Sequence, residues 1–437
     1  MKIAFITLGC KVNSYETEAI AGLFKEKGFT RVDSNEISDV YIINTCSVTN
    51  TADSKSRQKI RQAIKRNPNA LIAVMGCYSQ VKPEEVKDIL GVDIVIGNKD
   101  KGQIVDLVLD CIKNKNKIVN VENILKHKEF ECLNACEFER TRAFLKIQDG
   151  CTNFCTYCII PFARGPLRSR TKEDCFNEVE KIIKMGYKEI VLAGIHTGAY
   201  RDNDYSFPQL VDDLTKVKDL LRLRISSMEI TEIDDLFLDI LSKNNNLADH
   251  LHLPLQSGSD TVLERMNRKY NTKFYLNVLN KIRESRPNIA ISTDLIVGFP
   301  GETEDEFIQT LEFLEKAKFS KIHVFPYSKR NGTKASIMPN QVNDIIKSNR
   351  VDKVMELDYK LQYVYSKQFE GQILNVIPEV YKDGYLIGHT SNFLKVIFVG
   401  KEELIGKNVE VFIKEVILDE NLTKLKKEAL QIIGNLV

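Results

Sequence analysis

Three cysteines lie within eight residues of the chain, Cys151, Cys155 and Cys158, shortly after the apolar run 143–147. That run predicts a strand, so the cysteines belong to the loop that follows it. Three thiolates on one loop can bind three irons of a 4Fe-4S cluster and leave the fourth iron without a protein ligand. Zinc and incidental clustering are the alternatives, but structural zinc usually takes four ligands in CxxC pairs, and no second pair or nearby histidine follows. The spacing therefore predicts an iron-sulfur cluster with one open iron.

The same segment, 149–158, carries an aromatic residue, Tyr157, immediately before its last cysteine. In this respect it resembles the signature loop of the radical S-adenosylmethionine enzymes. The resemblance implies that the open iron chelates the amino and carboxylate groups of S-adenosylmethionine and reduces this molecule to a 5′-deoxyadenosyl radical.

The chain of 437 residues is too long for one ordinary core, so two to three domains are expected. No apolar run reaches the roughly 18 residues of a membrane span, and the first residues lead into a strand rather than a signal peptide. These features predict a cytoplasmic protein with no membrane partner, whose ten cysteines are reduced or bind metal. The net charge of +2 argues neither for nor against nucleic acid.

Strand-like and helix-like patterns alternate through the first part of the chain. The strand-like runs are 3–8, 40–44, 71–75 and 94–96. This alternation predicts a doubly wound parallel α/β domain over residues 1–112. Cys10, Cys46 and Cys77 each follow one of its first three strands. Because the carboxyl ends of parallel strands share one edge, the three thiols can converge there, although ordinary buried cysteines fit the pattern equally well.

A polar segment, 113–137, is predicted to be a linker to a second domain over residues 138–368. Helical segments separate six strand-like runs in that domain, which predicts a partial (β/α)6 barrel of the TIM type. The six runs lie near Ala143, Glu189, Arg222, His250, Ile289 and Lys321. Capping-box spacing at Thr303 and, more weakly, at Thr171 predicts the starts of two of its helices. Short strands and turns over 369–437 predict a small β-barrel.

The segments 7–13, 44–49 and 75–80 resemble the amino-terminal domain of the methylthiotransferases. That resemblance implies a second 4Fe-4S cluster, held by Cys10, Cys46 and Cys77. Cys111, Cys132 and Cys136 match no ligand position of the family. The segment 388–393 resembles the central motif of the TRAM domain, an RNA-binding barrel, with a generic barrel cap as the alternative. The order of the three parts is that of the family, so the chain is identified as a radical S-adenosylmethionine methylthiotransferase.

Polar or glycine-rich turns follow the strands of the predicted barrel, where barrel enzymes place their chemistry. By resemblance, the turn with Gly194 and Thr197 meets the amino group of S-adenosylmethionine. The same resemblance places Ser226, Glu229 and Gln256 near its ribose and carboxylate, and Ile296 and Val324 near its adenine. His196, His252 and His323 are catalytic candidates, but a lone histidine is more often structural.

The family mechanism implies that one S-adenosylmethionine donates a methyl group to a sulfur at the second cluster. Another is cleaved to the radical that takes hydrogen from an unactivated C–H bond. The implied partners are tRNA and a reduced electron donor such as flavodoxin or ferredoxin. A non-enzymatic iron-sulfur RNA-binding protein that senses redox state is the alternative from another class.

Three branches of the family act on threonylcarbamoyladenosine in tRNA, on isopentenyladenosine in tRNA, or on a ribosomal-protein aspartate. The segments 7–16, 159–165 and 194–198 look most like the first branch. This implies a methylthio group placed on C2 of the adenine next to the anticodon. A threonylcarbamoyl group carries a carboxylate, so its pocket should offer a cation, and Arg164 or Arg168 is the predicted one.

Overall fold

The computed structural model describes residues 1–135, 138, 141–419, 421, 423 and 429–437. Cys136, predicted to be no metal ligand, lies outside the described residues. Two parallel α/β arrangements and a closed β-barrel follow one another along the chain. No helix in the described ranges is both long enough and apolar enough to cross a membrane.

The amino-terminal part is one parallel sheet flanked by helices. Strands β1 to β6 span Lys2–Thr7, Thr30–Val32, Val40–Thr45, Leu71–Gly76, Ile94–Ile96 and Ile118–Asn120. Helices α1 to α5 span Lys11–Glu26, Asn50–Arg66, Cys77–Val81, Pro83–Lys87 and Ile104–Asn114. The strand order is β2-β1-β3-β4-β5-β6, with every neighbouring pair parallel. The direction of winding reverses between β1 and β3, which opens a crevice at their carboxyl ends.

The last strand of this sheet lies inside the segment predicted as a linker. β6 pairs with β5 in parallel, with Ile118 opposite Ile94. Its three residues are too few to show a period, which is why the sequence pattern missed them. The sheet therefore extends beyond residue 112.

Six parallel strands form the predicted partial barrel. Strands β7, β10, β13, β14, β15 and β16 span Arg142–Lys146, Glu189–Ala193, Arg222–Ile225, His250–His252, Ala290–Val297 and Lys321–Pro326. Between them lie the short pairs β8–β9 (Gln148–Asp149, Arg168–Ser169) and β11–β12 (Arg201–Asp202, Tyr205–Ser206). Two three-stranded sheets, β7-β10-β13 and β14-β15-β16, meet at a parallel bridge between Leu223 and Leu247. The strands thus follow chain order around the barrel, as predicted.

Helices cover the outer face of these strands. Helices α6 to α13 span Ile160–Arg164, Lys172–Lys184, Phe207–Thr215, Asp235–Lys243, Asp260–Arg265, Thr272–Ser285, Glu304–Ala317 and Asp344–Lys367. The predicted capping at the starts of α7 and α12 is confirmed. Thr171 accepts a hydrogen bond from the Asp174 backbone, and Thr303 and Glu306 form a reciprocal capping box.

The carboxyl-terminal part is a closed five-stranded barrel. Strands β17 to β21 span Ile373–Lys382, Tyr385–Thr390, Lys395–Val399, Val409–Leu418 and Leu430–Leu436. Their order is β17-β18-β19-β21-β20. Four of the five strands were visible in the sequence pattern. The fifth, β21, closes the barrel by pairing with both β19 and β20.

The loop of the small barrel that contains Ser391 and Phe393 packs against the larger barrel. The ring of Phe393 stacks on His250, with centroids 5.0 Å apart, and lies 4.7 Å and 5.1 Å from the guanidinium carbons of Arg224 and Arg142. The Ser391 carbonyl accepts a hydrogen bond from Arg224 at 3.1 Å. Arg142 and His250 are the first residues of their strands. The loop therefore closes the amino-terminal end of the strands, opposite to the end where barrel chemistry is placed.

We predict that Phe393→Ala weakens this docking by roughly 1–3 kcal/mol, because the ring's stacking and cation–π contacts are lost. Amide hydrogen exchange in residues 389–395 should become faster, and proteolysis near the loop should increase. Phe412→Ala is a matched control, since Phe412 lies on the same barrel with 38% exposure against 39% for Phe393. Equal exchange rates in the two variants would contradict the docking role of Phe393.

Candidate cluster sites and reaction cavity

The loop with Cys151, Cys155 and Cys158 follows β7 and β8 and is held against the segment after α10. Thr156 donates from its backbone to Met266 at 3.1 Å and from its hydroxyl to Arg265 at 2.9 Å. The loop begins at Gly150, whose φ of +79° suits glycine. A Cβ there would lie 1.9 Å from the carbonyl oxygen of Pro166. The entry to the loop therefore requires glycine.

The three thiols of this loop are partly accessible and close enough to influence one another electrostatically. Burial, together with the nearby Cys155 and Cys151 sulfurs, raises the pKa of the Cys158 thiol to about 12. Thiols that crowd one another in this way ionise on binding a metal, which releases their protons. No trio of His, Cys, Asp or Glu side chains in the described residues is placed to hold a single metal ion. Three thiols on one loop match the donor set of a 4Fe-4S cluster that has one iron without a protein ligand.

Cys10, Cys46 and Cys77 follow β1, β3 and β4 and come together at the crevice of the first sheet, as predicted. Burial raises the pKa of Cys46 to about 12, and the Cys77 and Cys10 sulfurs act in the same direction. Gly9, with φ +100°, makes room for this approach, since a Cβ there would lie 2.9 Å from the Cys46 sulfur. Cys77 accepts hydrogen bonds from Asn98 at 3.6 Å and from Arg164 at 3.3 Å. Three convergent thiols, with no fourth cysteine beside them in the described part of the chain, fit a second cluster of the same kind.

The other cysteines within the described ranges lie elsewhere. Cys111 is buried on α5 and donates to the Asn116 carbonyl at 3.2 Å. Cys132 is exposed and donates to Asp174 at 3.3 Å. Cys175 is buried on α7. None of these three cysteines belongs to the two groups of thiols.

A buried ion network lies between the two groups of cysteines. Two carboxylates, Glu16 on α1 and Asp149 on β8, face four cations. The cations are Lys101, Lys146, Arg164 and Arg168. Burial alone would raise the pKa of Glu16, but Arg164 and the two lysines outweigh it and hold this pKa well below its usual range. The network therefore carries two surplus positive charges, next to thiols that become negative on binding metal.

The structure corrects the prediction that Arg164 or Arg168 binds a substrate carboxylate. Arg164 is fully buried and pairs with Glu16 at 2.7 Å and with Asp149 at 3.2 Å. Arg168 donates to the carbonyl oxygens of Arg164 at 2.8 Å and Pro166 at 3.1 Å. Both guanidinium groups are committed within the protein, so neither is open to a ligand. Arg164 instead links the two groups of cysteines.

The residues predicted to contact S-adenosylmethionine lie at the carboxyl ends of the barrel strands. Gly194 directly follows β10, and the hydroxyls of Thr197 and Ser226 are 3.3 Å apart. Gln256 bridges to β15, where its carbonyl accepts from the Ile296 backbone at 2.9 Å. Val324 lies on the adjacent β16, opposite Leu295. These placements agree with a shared rim, and the individual contacts with the cofactor stay predictions.

Glu229 is paired in a way that the sequence did not predict. Arg268 forms an ion pair with its carboxylate and also donates to the Cys155 sulfur at 3.4 Å. Arg268 therefore holds the cysteine loop against the rim. Its neighbours Asn267 and Lys269 are polar, so in the sequence it is part of an ordinary solvated turn. Only the tertiary contact identifies it.

The three candidate histidines have different surroundings. His196 lies 3.9 Å from the Cys151 sulfur and 2.6 Å from Glu232. His252 hydrogen-bonds with Ser292 at 2.9 Å and lies 3.3 Å from Asp294. Its ring centroid is 5.8 Å from that of His323. His252 and His323 thus form a pair on the inner wall of the barrel.

A cavity of about 740 Å³ fills the interior of the barrel. Its wall includes Lys11, the residue after Cys10, and Ser226 from the predicted cofactor rim. Asp294, His323 and Phe393 also line it. Its volume falls in the range of small-molecule sites. The cavity thus includes Lys11, the neighbour of Cys10, and Ser226, which directly follows β13.

Comparisons with known proteins agree with this arrangement. The model of the Radical SAM superfamily matches residues 145–314, which contain the end of β7, the cysteine loop and the strands β10, β13, β14 and β15. The model of Uncharacterized protein family UPF0004 matches residues 2–97, which contain Cys10, Cys46 and Cys77. The radical S-adenosylmethionine methyltransferase TsrM from Kitasatospora setae has a similar fold, with a TM-score of 0.58 over 77% of each chain at 12% identity. Fold and site thus define a radical S-adenosylmethionine enzyme.

Similar curated proteins indicate which kind of radical S-adenosylmethionine enzyme the chain resembles. "Threonylcarbamoyladenosine tRNA methylthiotransferase MtaB" of Bacillus subtilis (strain 168) is 48% identical over 94% of this chain and 93% of its own length. The protein of the same name from Aquifex aeolicus (strain VF5) is 39% identical over 94% and 100%. "tRNA-2-methylthio-N(6)-dimethylallyladenosine synthase" of Thermoanaerobacter sp. (strain X514) is 35% identical over 94% and 89%.

The chain therefore belongs to the radical S-adenosylmethionine methylthiotransferase family. This confirms the family prediction and removes the alternative of a non-enzymatic redox sensor. Membership implies S-adenosylmethionine and a 4Fe-4S cluster as cofactors.

We predict that Cys155→Ala removes about four irons per chain, since a cluster bound by two remaining thiolates is lost. Cleavage of S-adenosylmethionine to 5′-deoxyadenosine, measured anaerobically with a strong reductant, should then stop. Cys175→Ala is the control, because Cys175 is a buried thiol on α7 outside both groups. Full iron content and normal cleavage in the Cys155 variant would reject the assignment.

Proposed function

We propose that this enzyme converts N6-threonylcarbamoyladenosine next to the tRNA anticodon into its 2-methylthio derivative. Two relatives named for this substrate, 48% and 39% identical, each match 94% of the chain. The single structural observation that carries the proposal is the shared cavity, whose wall includes Lys11 beside Cys10 and Ser226 at the cofactor rim. A carbon held there adjoins the place of radical formation and the place of sulfur delivery.

We propose that Cys151, Cys155 and Cys158 hold the radical-generating cluster and that Cys10, Cys46 and Cys77 hold a second 4Fe-4S cluster. Cys10 is accessible and its neighbour Lys11 lines the cavity, whereas Cys46 and Cys77 are buried. When bound, the clusters and S-adenosylmethionine supply the methyl group, the sulfur and the radical that exchanges C–H for C–S.

The protein's own residues position these groups and keep water away. Arg164 ties the sulfur of Cys77 to Asp149, two residues before the cysteine loop, and so fixes the spacing between the two sites. Arg268 ties Cys155 to Glu229 on the rim. Phe393 closes the far end of the cavity. An enclosed, rigid site favours the reaction of the radical with the intended C–H bond.

Transfer RNA is the proposed macromolecular substrate. A reduced donor such as flavodoxin or ferredoxin is the proposed source of electrons, and the cytoplasm is the proposed location. The TRAM-like barrel is proposed to add tRNA affinity. The loop 389–395 docks against the larger barrel, so other faces of the small barrel would make that contact.

A triple variant, Cys10→Ala with Cys46→Ala and Cys77→Ala, separates the two cluster roles. We expect its iron content to fall from about eight to about four per chain. It should still form 5′-deoxyadenosine, because the first cluster is retained, but it should yield no methylthio product. Cys132→Ala, an exposed thiol outside both sites, controls for the loss of a cysteine. Iron content equal to that of the parent would disprove the second cluster.

Nucleoside mass spectrometry of tRNA from a strain lacking this protein tests the substrate. We expect 2-methylthio-threonylcarbamoyladenosine to disappear and its unthiolated precursor to accumulate, because no other step consumes the precursor at C2. Loss of the methylthio-isopentenyl nucleoside instead would assign the enzyme to that branch. Normal tRNA together with an unmodified ribosomal-protein aspartate would point to the third branch.

A further inference from the structure

One cation on the cavity wall is not committed to another protein group. Lys11 is the first residue of α1, directly after Cys10, and its side chain is accessible from the cavity. No residue in the described part of the chain hydrogen-bonds or ion-pairs with its ammonium group. An ammonium group on a cavity wall with no partner of its own can bind an anion.

Other cations around the cavity are already paired. Arg224 binds Glu189 at 2.8 Å and also donates to two carbonyl oxygens of the small barrel. Lys321 binds Asp358 at 2.8 Å. The carboxylate of Asp294, on the same wall, lies against His252 at 3.3 Å. Lys11 can therefore bind an anionic ligand without first breaking an ion pair, whereas Arg224 and Lys321 cannot.

The chemistry of the proposed substrate matches this position. In adenine, N1 lies between C2, the carbon to be modified, and C6, which carries the N6 substituent. Both positions are therefore reached from the same edge of the base. If C2 faces the sulfur-delivering site, a residue next to Cys10 lies within reach of the N6 substituent. The threonylcarbamoyl group ends in a carboxylate, which cannot be buried without a partner except at high cost.

We infer that Lys11 binds the carboxylate of the threonylcarbamoyl group and so selects this substrate over nucleosides with an apolar N6 substituent. The inference rests on the proposed function. Lys11 takes the role that was predicted for Arg164 or Arg168. Selection between N6 substituents then depends on the residue directly after Cys10. An isopentenyl group would leave the ammonium of Lys11 unpaired and desolvated, which disfavours its binding.

The test compares two ligands on the cluster-loaded enzyme. Anticodon stem-loop RNAs are prepared with threonylcarbamoyladenosine or with the carboxamide of the same group, which has the same shape and no charge. Dissociation constants are measured for the parent, Lys11→Gln, Lys11→Arg and Lys27→Gln. Lys27 is exposed at the other end of α1 and controls for general charge. Iron content is measured for each variant.

The parent and Lys27→Gln should bind the carboxylate RNA at least about tenfold more tightly than the carboxamide, since an enclosed charge-assisted contact has this strength. Lys11→Gln should bind the two RNAs equally, and Lys11→Arg should keep much of the preference. The preference for the carboxylate RNA is measured first in the parent, which carries no substitution at Lys11. This measurement therefore does not depend on whether a variant retains its clusters.

Three results would overturn the inference. The first is that the parent binds both RNAs equally. The second is that Lys11→Gln keeps the preference for the carboxylate RNA. The third is that Lys11→Gln weakens the affinity for both RNAs by the same factor, which indicates a phosphate contact. Failure of the proposed function looks different. In that case the parent forms no methylthio product from the carboxylate RNA but forms it from an isopentenyl stem-loop.

Discussion

The structure depends on the buried guanidinium group of Arg164. It lies at the end of α6, directly after the cysteine loop, yet it contacts Glu16, Asn13 and Cys77 of the amino-terminal sheet. A charge in this position is stable only because carboxylates and sulfur surround it, and removing one partner of such a pair usually costs about 3–5 kcal/mol. The two groups of cysteines are therefore fixed relative to each other by electrostatics as well as by packing.

The same network explains how a nearly neutral chain accommodates metal sites. The overall charge is +2, but the surplus of cations is concentrated where thiols become negative on binding metal. Burial and mutual repulsion raise the pKa of Cys46 to about 12, so its thiolate forms with the metal rather than before it. Arg164 lowers the pKa of Cys10 and Cys46, against the effect of burial. The network thus favours the ligated state of the thiols over the free one.

Much of this architecture could be predicted from sequence because its signals are local. Strands of five or six buried residues show their pattern directly, and a cysteine after each of β1, β3 and β4 needs only the rule that parallel strands end at one edge. The spacing of Cys151, Cys155 and Cys158 by itself predicts that the three thiols lie on one loop. Several strands of two or three residues, which are too short to show a period, were missed; these are β2, β6, β8, β9, β11 and β12. β21 was also missed, and it is preceded by a polar segment.

The roles of charged residues could not be predicted in the same way. Arg164, Arg168 and Lys11 are all basic, and all lie inside a family motif or within three residues of one. Their sequence neighbourhoods do not say which of them is buried in an ion pair and which is free. That distinction comes from partners far along the chain, such as Glu16 for Arg164, 148 residues away.

The cavity, like these ion pairs, is formed by residues that are far apart in the chain. Lys11 comes from α1 of the amino-terminal part, Ser226 and Asp294 from the larger barrel, and Phe393 from the small one. A radical able to attack an unactivated C–H bond would also attack solvent or protein, so the reaction requires enclosure on every side. Six strands leave a barrel open along one side. The amino-terminal part and the carboxyl-terminal barrel supply further residues of the cavity wall, which gives a physical reason for the three parts to occur together in one chain.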